Sequence, residues 1–142
     1  MLQVNVVGIA MLCKYFGKQM KERGYGKIIN VSSTRGARAC LGGNASYCTT
    51  KGALDMLTRT AACDLGPEVC VNAIGPTNTV TPMMEDLIKE HPEILHLGDD
   101  KPLQRIGTVE DCMGPAVFLA SHASDFMTGQ IVYADGGMTA IG

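Results

Sequence analysis

The sequence predicts an α/β fold in which helices flank a small parallel sheet. Three observations point to it. Helical periodicity alternates with short β-branched runs, the order along the chain is helix, strand, helix, strand, helix, helix, strand, and Gly or Pro punctuates the segment ends. A helix between consecutive strands implies parallel strands joined by right-handed crossovers, because a tight hairpin joins only antiparallel neighbours.

Each element has a local reason. From Leu2 to about Met20, the apolar residues Leu2, Val6, Ile9, Cys13, Phe16 and Met20 recur at steps of four and three, which is one face of a helix. Lys14, Lys18, Lys21 and Glu22 lie off that stripe, and Gly24-Tyr25-Gly26 stops the helix. Asn5, near its start, reads on local pattern alone as a solvent-facing or capping residue. Lys27 to Val31 is a short β-branched run ending at Ser32-Ser33, and it predicts a buried strand. Thr34 to Ala45, rich in Gly, Ala and Asn, reads as a loop. A second helix from about Ser46 to Leu65 places Leu54, Leu57, Ala61 and Leu65 on one face, pairs Asp55 with Arg59 at i,i+4, and stops at Gly66-Pro67.

Val69 to Ile74, bounded by Gly75-Pro76, is the next strand. Thr77 to Leu103 is irregular. Thr81 caps a short helix with Pro82 at its first position and Met83, Met84, Leu87 and Ile88 on its inner side, and His91-Pro92 ends it. Leu97 to Pro102 reads as a loop. Two readings fit this region, about residues 77–105: an ordinary surface helix, or a mobile substrate lid lined by Met83, Met84 and Leu87. Thr108 to Asp111 resembles a capping box with Asp in place of Glu or Gln, and it opens a helix to about Ser121. Thr128-Gly129 then turns into a third strand, Gln130 to Ala134, which Asp135-Gly136-Gly137 ends.

The bulk numbers bound the possibilities. A chain of 142 residues is one domain, residues 1–142, with enough length to bury a core. A hydrophobic share of 46% with 18% charged residues is globular rather than disordered. No run approaches the roughly 18 uninterrupted apolar residues of a membrane span, and the opening segment lacks the basic start and small-residue cleavage site of a signal peptide. The expectation is a cytoplasmic chain with no membrane partner. A net charge of −2, with Lys and Arg scattered, offers no field for nucleic acid. The six cysteines form no C-x-x-C pair and, with three scattered histidines, show no zinc-ligand spacing. No metal is expected, and the cysteines read as reduced thiols serving as small apolar residues.

The chemistry concentrates at Tyr47 and Lys51. On a helix, four residues is about one turn, so the phenol and the ammonium share a face. A phenol is a poor acid, with an ordinary pKa of about 10, and a fixed positive charge beside it favours the phenolate. Ser33, aimed at the same point, supplies a hydroxyl for a carbonyl oxygen. This is a carbonyl/alcohol redox site that needs a hydride carrier.

These residues resemble the C-terminal part of a short-chain dehydrogenase/reductase. Tyr47 and Lys51 fall on that family's Y-x-x-x-K signature, Ser33 on its catalytic serine and Asn5 on its helix asparagine. They stand in order with Ile29-Asn30-Val31-Ser32-Ser33, Val71-Asn72-Ala73, Thr81-Pro82-Met83, Pro102-Leu103-x-Arg105, Thr128-Gly129 and Asp135-Gly136-Gly137. The resemblance implies the C-terminal half of a doubly wound, Rossmann-like parallel sheet, three strands with flanking helices. It implies a catalytic tetrad of Asn5, Ser33, Tyr47 and Lys51. It implies NAD or NADP held at the nicotinamide end by Tyr47, Lys51, Pro76, Thr77, Thr79 and Thr81, and a small sugar, polyol or dicarbonyl as substrate. It also implies a homo-oligomer formed through the helices at about 2–22 and 46–65. Two features depart from the commonest family form: Pro76-Thr77 stands where Pro-Gly is common, and the step from Ser33 to Tyr47 is one residue longer.

The glycine-rich turn that cradles a pyrophosphate between a first strand and helix is not in these residues. Gly24-Tyr25-Gly26 precedes a strand and Gly42-Gly43 lies in a loop, so neither fits the fingerprint. The N-terminal dinucleotide-binding half of such a fold would add roughly a hundred residues at ~30 per βαβ step. One expectation is therefore a truncated form of a complete oxidoreductase, inactive by itself. The alternatives are a non-enzymatic half-domain acting as an association module and a piece of a 3-oxoacyl-thioester reductase.

Overall fold

The computed structural model describes residues 1–40 and 42–141, without the side chains of Met83 and Glu85. Three strands, β1 (Gly26–Val31), β2 (Val69–Pro76) and β3 (Ile131–Ala134), form one parallel sheet in the order β1-β2-β3. Gly26 pairs with Val69 through to Val31 with Ile74, and Ala73 pairs with Ile131 through to Pro76 with Ala134. The strands are those the β-branched runs predict.

The helices are α1 (Ile9–Arg23), α2 (Ala45–Leu65), α3 (Glu85–Glu90) and α4 (Glu110–Ala120). Alternate residues of β1 point to opposite sheet faces. Asn30 meets Cys13 of α1 and Thr58 of α2, whereas Lys27 reaches Ser124 and Asp125 just after α4. The core between α2 and the sheet is Ala61, Ala62, Val69 and Val71, with Met20, Ile28 and Leu65 packed against it. Alanines on α2 let the helix lie close to the strands. Asn30 is buried among these apolar groups and is satisfied by Thr58 Oγ1 at 2.9 Å, which removes most of its desolvation penalty.

The first helix departs from the pattern in two ways. It opens with a π-helical stretch, Gln3–Gly8, which shifts the register ahead of α1. Leu2 and Phe16, expected on the inner stripe, are exposed, while Cys13 and Gly17 face inward. Gly17 is the reason for the close approach of α2: a Cβ there would lie 2.5 Å from Leu65 Cδ1. The result is an outer face on which Met11, Leu12, Tyr15 and Phe16 are exposed. Gly24 ends α1 at a φ of 78°, a left-handed stop.

Other expectations need correction. Asp55 does not form a surface pair with Arg59; it is buried and accepts a short hydrogen bond from Ser32. Pro92–Gly98 is a 3-10 helix, so the loop expected from Leu97 begins later. Pro82–Met84 is also 3-10 and leads into the short α3. The capping box is half formed: Asp111 accepts from the Thr108 N–H at 2.8 Å and is clamped by Arg105 at 2.7 Å from both guanidinium nitrogens. Within α4, Gly114 precedes Pro115, where the absence of a Cβ relieves the crowding that proline imposes on a helical neighbour.

Among the described residues, β1 is hydrogen-bonded to a neighbouring strand on one side only. Val31, at its end, is 64% exposed. A groove of about 390 Å³ runs beside it, lined by residues that include Ile9, Leu12, Phe16 and Ile29. Among the described residues, no helix is long and apolar enough to cross a membrane, and no group of three or more His, Cys, Asp or Glu is placed to hold a metal ion.

Candidate active site

The C-terminal end of a parallel sheet gathers the loops that carry chemistry. Here β1 delivers Ser32-Ser33, and α2 begins opposite with Tyr47 in its first turn. Ser33 is buried, and its Oγ accepts the Arg35 N–H at 3.2 Å, which caps the 3-10 turn Thr34–Gly36. Ser33, Thr34, Arg35, Asn44, Tyr47, Thr77 and Asn78 line one pocket of about 260 Å³. The structure thus brings Ser33, Tyr47 and Thr77 to one cavity.

Lys51 lies one helical turn beyond Tyr47, its Nζ 5.7 Å from the centre of the Tyr47 ring. The ammonium donates to the Val31 carbonyl at 2.9 Å. Burial lowers the Lys51 pKa, and the charge of Asp55, one turn further on, works against that fall. Burial raises the pKa of Asp55, opposed by its bond from Ser32 and by Arg59 and Lys51. Ser32, Asp55 and Lys51 therefore lock the strand carrying Ser33 to the helix carrying Tyr47.

Asn5 stands behind the pocket. Its Nδ2 donates to Thr50 Oγ1 at 3.2 Å, and Thr50 Oγ1 donates to the Tyr47 carbonyl at 2.8 Å. The asparagine reaches the tyrosine's backbone through one buried threonine.

The segment after β2 closes the floor. Pro76 ends the strand, and Thr77 Oγ1 contacts Met138 Sδ at 2.9 Å. Thr79 Oγ1 donates to the Thr77 carbonyl at 2.9 Å and its backbone bridges to Gly107. The carbonyl of Thr81 accepts from Met84 N at 2.8 Å. Thr79 and Thr81 do not line the 260 Å³ pocket. Neither do Met84, which is half-buried, or Leu87, which is exposed; the Met83 side chain lies outside the described residues. Thr77 also borders a second cavity of about 450 Å³, shared with Leu103, Arg105, Tyr133 and Gly136. Sequence patterns had not marked Arg35, Asn44 or Asn78 as pocket residues. Arg35 sits in the short 3-10 turn and Asn44 and Asn78 in loops, where no periodicity signals orientation.

A pocket of 260 Å³ falls below the roughly 300–1,000 Å³ of sites that enclose a whole small ligand. Its lining is mostly polar, with the hydroxyls of Ser33, Thr34, Tyr47 and Thr77 and the amides of Asn44 and Asn78.

Comparison with known proteins places the sequence and fold among known families. Residues 1–139 match the family model described as enoyl-(acyl carrier protein) reductase. The chain is 38% identical over 139 residues to L-xylulose reductase of Mus musculus, covering 96% of this chain and 57% of the relative. It is 39% identical over 137 residues to cyclohexanol dehydrogenase of a Rhodococcus species, covering 95% and 50%. A gluconate 5-dehydrogenase from Burkholderia cenocepacia, solved with NADP and tartrate, superposes with a TM-score of 0.87 at 33% identity, covering 99% of this chain and 55% of that one. The chain spans about half the length of the curated relatives it matches. The match of residues 1–139 to this family model, the identity to these relatives and the parallel sheet shared with these oxidoreductases identify the chain as a member of the short-chain dehydrogenase/reductase family, corresponding to its C-terminal part.

Proposed function

We propose that this chain is the catalytic half of an NAD(P)-dependent oxidoreductase that interconverts a carbonyl and a secondary alcohol on a small sugar, polyol or dicarbonyl. The observation that carries it is the shared pocket of Ser33 and Tyr47 with the Lys51 ammonium beside the tyrosine ring. In the reductive direction Ser33 Oγ–H donates to the substrate carbonyl oxygen and orients it. Tyr47 passes its phenolic proton to that oxygen; a nicotinamide, when bound, would supply the hydride chemistry at the carbon. Lys51 stabilises the negative charge left on the phenol oxygen. Asn5, through Thr50, holds the first turn of α2 in place, and it would hold a water that links Lys51 to solvent as a proton relay. The nicotinamide end of the cofactor would rest on Tyr47, Lys51 and the segment Pro76, Thr77, Thr79 and Thr81, with residues 77–105 covering the substrate.

The sugar or polyol class follows the names of similar proteins, L-xylulose reductase and gluconate 5-dehydrogenase. A thioester substrate is the second reading, favoured by the description of the matching family model. The exposed apolar face of α1 supports association of copies through α1 and α2, and the chain's work belongs in the reducing cytoplasm. In a form of the protein that includes a phosphate-binding half, Tyr47→Phe removes nearly all turnover while dinucleotide affinity, read by nucleotide fluorescence, stays within a few-fold. Retained turnover would sink the assignment of Tyr47 as the acid. The 142-residue chain alone shows no tight binding of NADH or NADPH; micromolar affinity would overturn the placement of the phosphate cradle outside it.

A further inference from the structure

Cys40 and Cys48 lie in the loop before α2 and in its first turn, eight residues apart, with their sulfurs 3.9 Å from each other. Among the described residues this is the one sulfur pair in contact; Cys13 points to Asn30, Cys70 to the Asp125 carbonyl, and Cys63 is exposed on α2. All six are free thiols. A disulfide needs its sulfurs near 2.05 Å, so the pair must close by roughly 2 Å. The connecting loop carries Gly42 and Gly43 at φ of 94° and 76°, conformations that leave its backbone free of side-chain constraint. Both cysteines are half-buried, so a small reagent reaches them.

The pair also has a place in the site. Cys48 follows Tyr47 directly, and the ring closed by a Cys40–Cys48 bond would contain Asn44 and Tyr47, two of the side chains that line the 260 Å³ pocket. We propose that Cys40 and Cys48 are a thiol-modification site, forming a reversible intramolecular disulfide by exchange with a small-molecule disulfide and thereby tying the rim of the pocket to the first turn of α2. The exchange balances. One thiolate of the pair attacks the reagent's S–S bond and releases one reagent thiol, leaving a mixed disulfide. The second cysteine then attacks the protein-bound sulfur, releases the second reagent thiol and closes the ring. Two protein thiols are oxidised and one disulfide is reduced to two thiols. Burial and the hydrogen bond with Cys40 raise the pKa of Cys48, so less of it is thiolate near neutrality and the exchange is slower there than at higher pH. An effect of the ring on turnover rests on the proposed oxidoreductase reading, but its formation is measured without substrate.

The test equilibrates the 142-residue chain with graded ratios of oxidised and reduced glutathione, blocks the remaining thiols by alkylation and digests with trypsin. Cleavage after Arg38 and after Lys51 leaves both cysteines on one peptide, residues 39–51. The expected product is that peptide two hydrogens lighter, formed at an effective thiol concentration at least about tenfold above that of the same chain in urea. An equal value in urea would overturn the proposal, because the ring would then owe nothing to the fold. So would recovery of the peptide carrying two glutathione adducts. Cys40→Ser should leave Cys48 as a stable mixed disulfide; if Cys48 in that variant resists glutathione altogether, the proposal fails on access.

Discussion

Lys51 Nζ donates to the main-chain carbonyl of Val31 at 2.9 Å. The residue proposed to assist Tyr47 is thus also the pin between α2 and the last residue of β1. Lys51→Met removes the ammonium while keeping most of the aliphatic stem. A charged donor's hydrogen bond is worth roughly 1.5–3 kcal/mol, discounted here to about 1 because the lysine is half-exposed. The check is denaturant unfolding, with the Val31 and Ser32 amides losing hydrogen-exchange protection before the rest of the sheet. Unchanged protection at β1 would show that the bond does not hold the strand.

Asp55 should make stability fall as pH rises. Burial raises its pKa above the ordinary carboxylate value, so the folded state holds the proton more tightly than the unfolded chain. The associated stability is complete below about pH 4 and is lost as pH climbs through the raised value. Asp55→Asn removes that slope, and the difference in unfolding free energy between the two proteins across pH 4 to 8 isolates it. Asp55→Ala leaves the buried Ser32 hydroxyl unpaired and costs about 1–3 kcal/mol. A wild-type and Asn-variant pair with parallel pH curves would refute the burial argument.

Asp125 has the opposite sign. The Lys27 ammonium at 2.8 Å, together with His122 and Tyr25, holds its pKa down to about 2. Its contribution is present above the ordinary carboxylate pKa and disappears as pH falls through about 2. Asp125→Asn should flatten the acid limb of a thermal-melt series between pH 4 and 2, and it also leaves the largely buried Lys27 without its counter-ion. A limb as steep as the wild type's would assign the acid sensitivity elsewhere.

Two glycines should respond in opposite directions to alanine. A Cβ at Gly98 would lie 2.1 Å from the Arg105 carbonyl carbon and 2.3 Å from Ile106 N, backbone atoms that cannot step aside, so Gly98→Ala lowers stability by about 1–3 kcal/mol or more. At Gly52, inside α2, the nearest atom is the Gly36 carbonyl oxygen at 3.5 Å, an ordinary contact, and alanine there gains about 0.5–1 kcal/mol from helix propensity. Melting temperatures of the two variants decide it. A Gly98→Ala protein as stable as its parent would show that the 92–106 segment is loosely packed.

What the sequence could show follows from where orientation is periodic. The strands and the two long helices were legible because apolar spacing repeats over several turns or is continuous over a buried run. Tyr47 and Lys51 were legible as a pair because a helix fixes what lies one turn apart. Asp55 was misjudged for the same reason. Spacing from Arg59 suggested an i,i+4 pair, but the decisive partner, Ser32, is 23 residues away and comes into reach only through tertiary packing. The outward turn of Phe16 likewise depends on Gly17 and Leu65, an approach between helices that no single-helix pattern encodes. Arg35, Asn44 and Asn78 were invisible because a single 3-10 turn and a loop have no period to read.

β1, the strand that presents Ser33, is stitched to the sheet along one flank only, and its far flank opens onto an apolar groove. A strand supported on one side can pivot about its single row of bonds. Half an ångström at the serine is enough to misalign a hydroxyl with a carbonyl. The reactive geometry is therefore a question of sheet width: whatever pairs with the open flank of β1 would act, without touching substrate, as the second rail on which Ser33 is held to gauge.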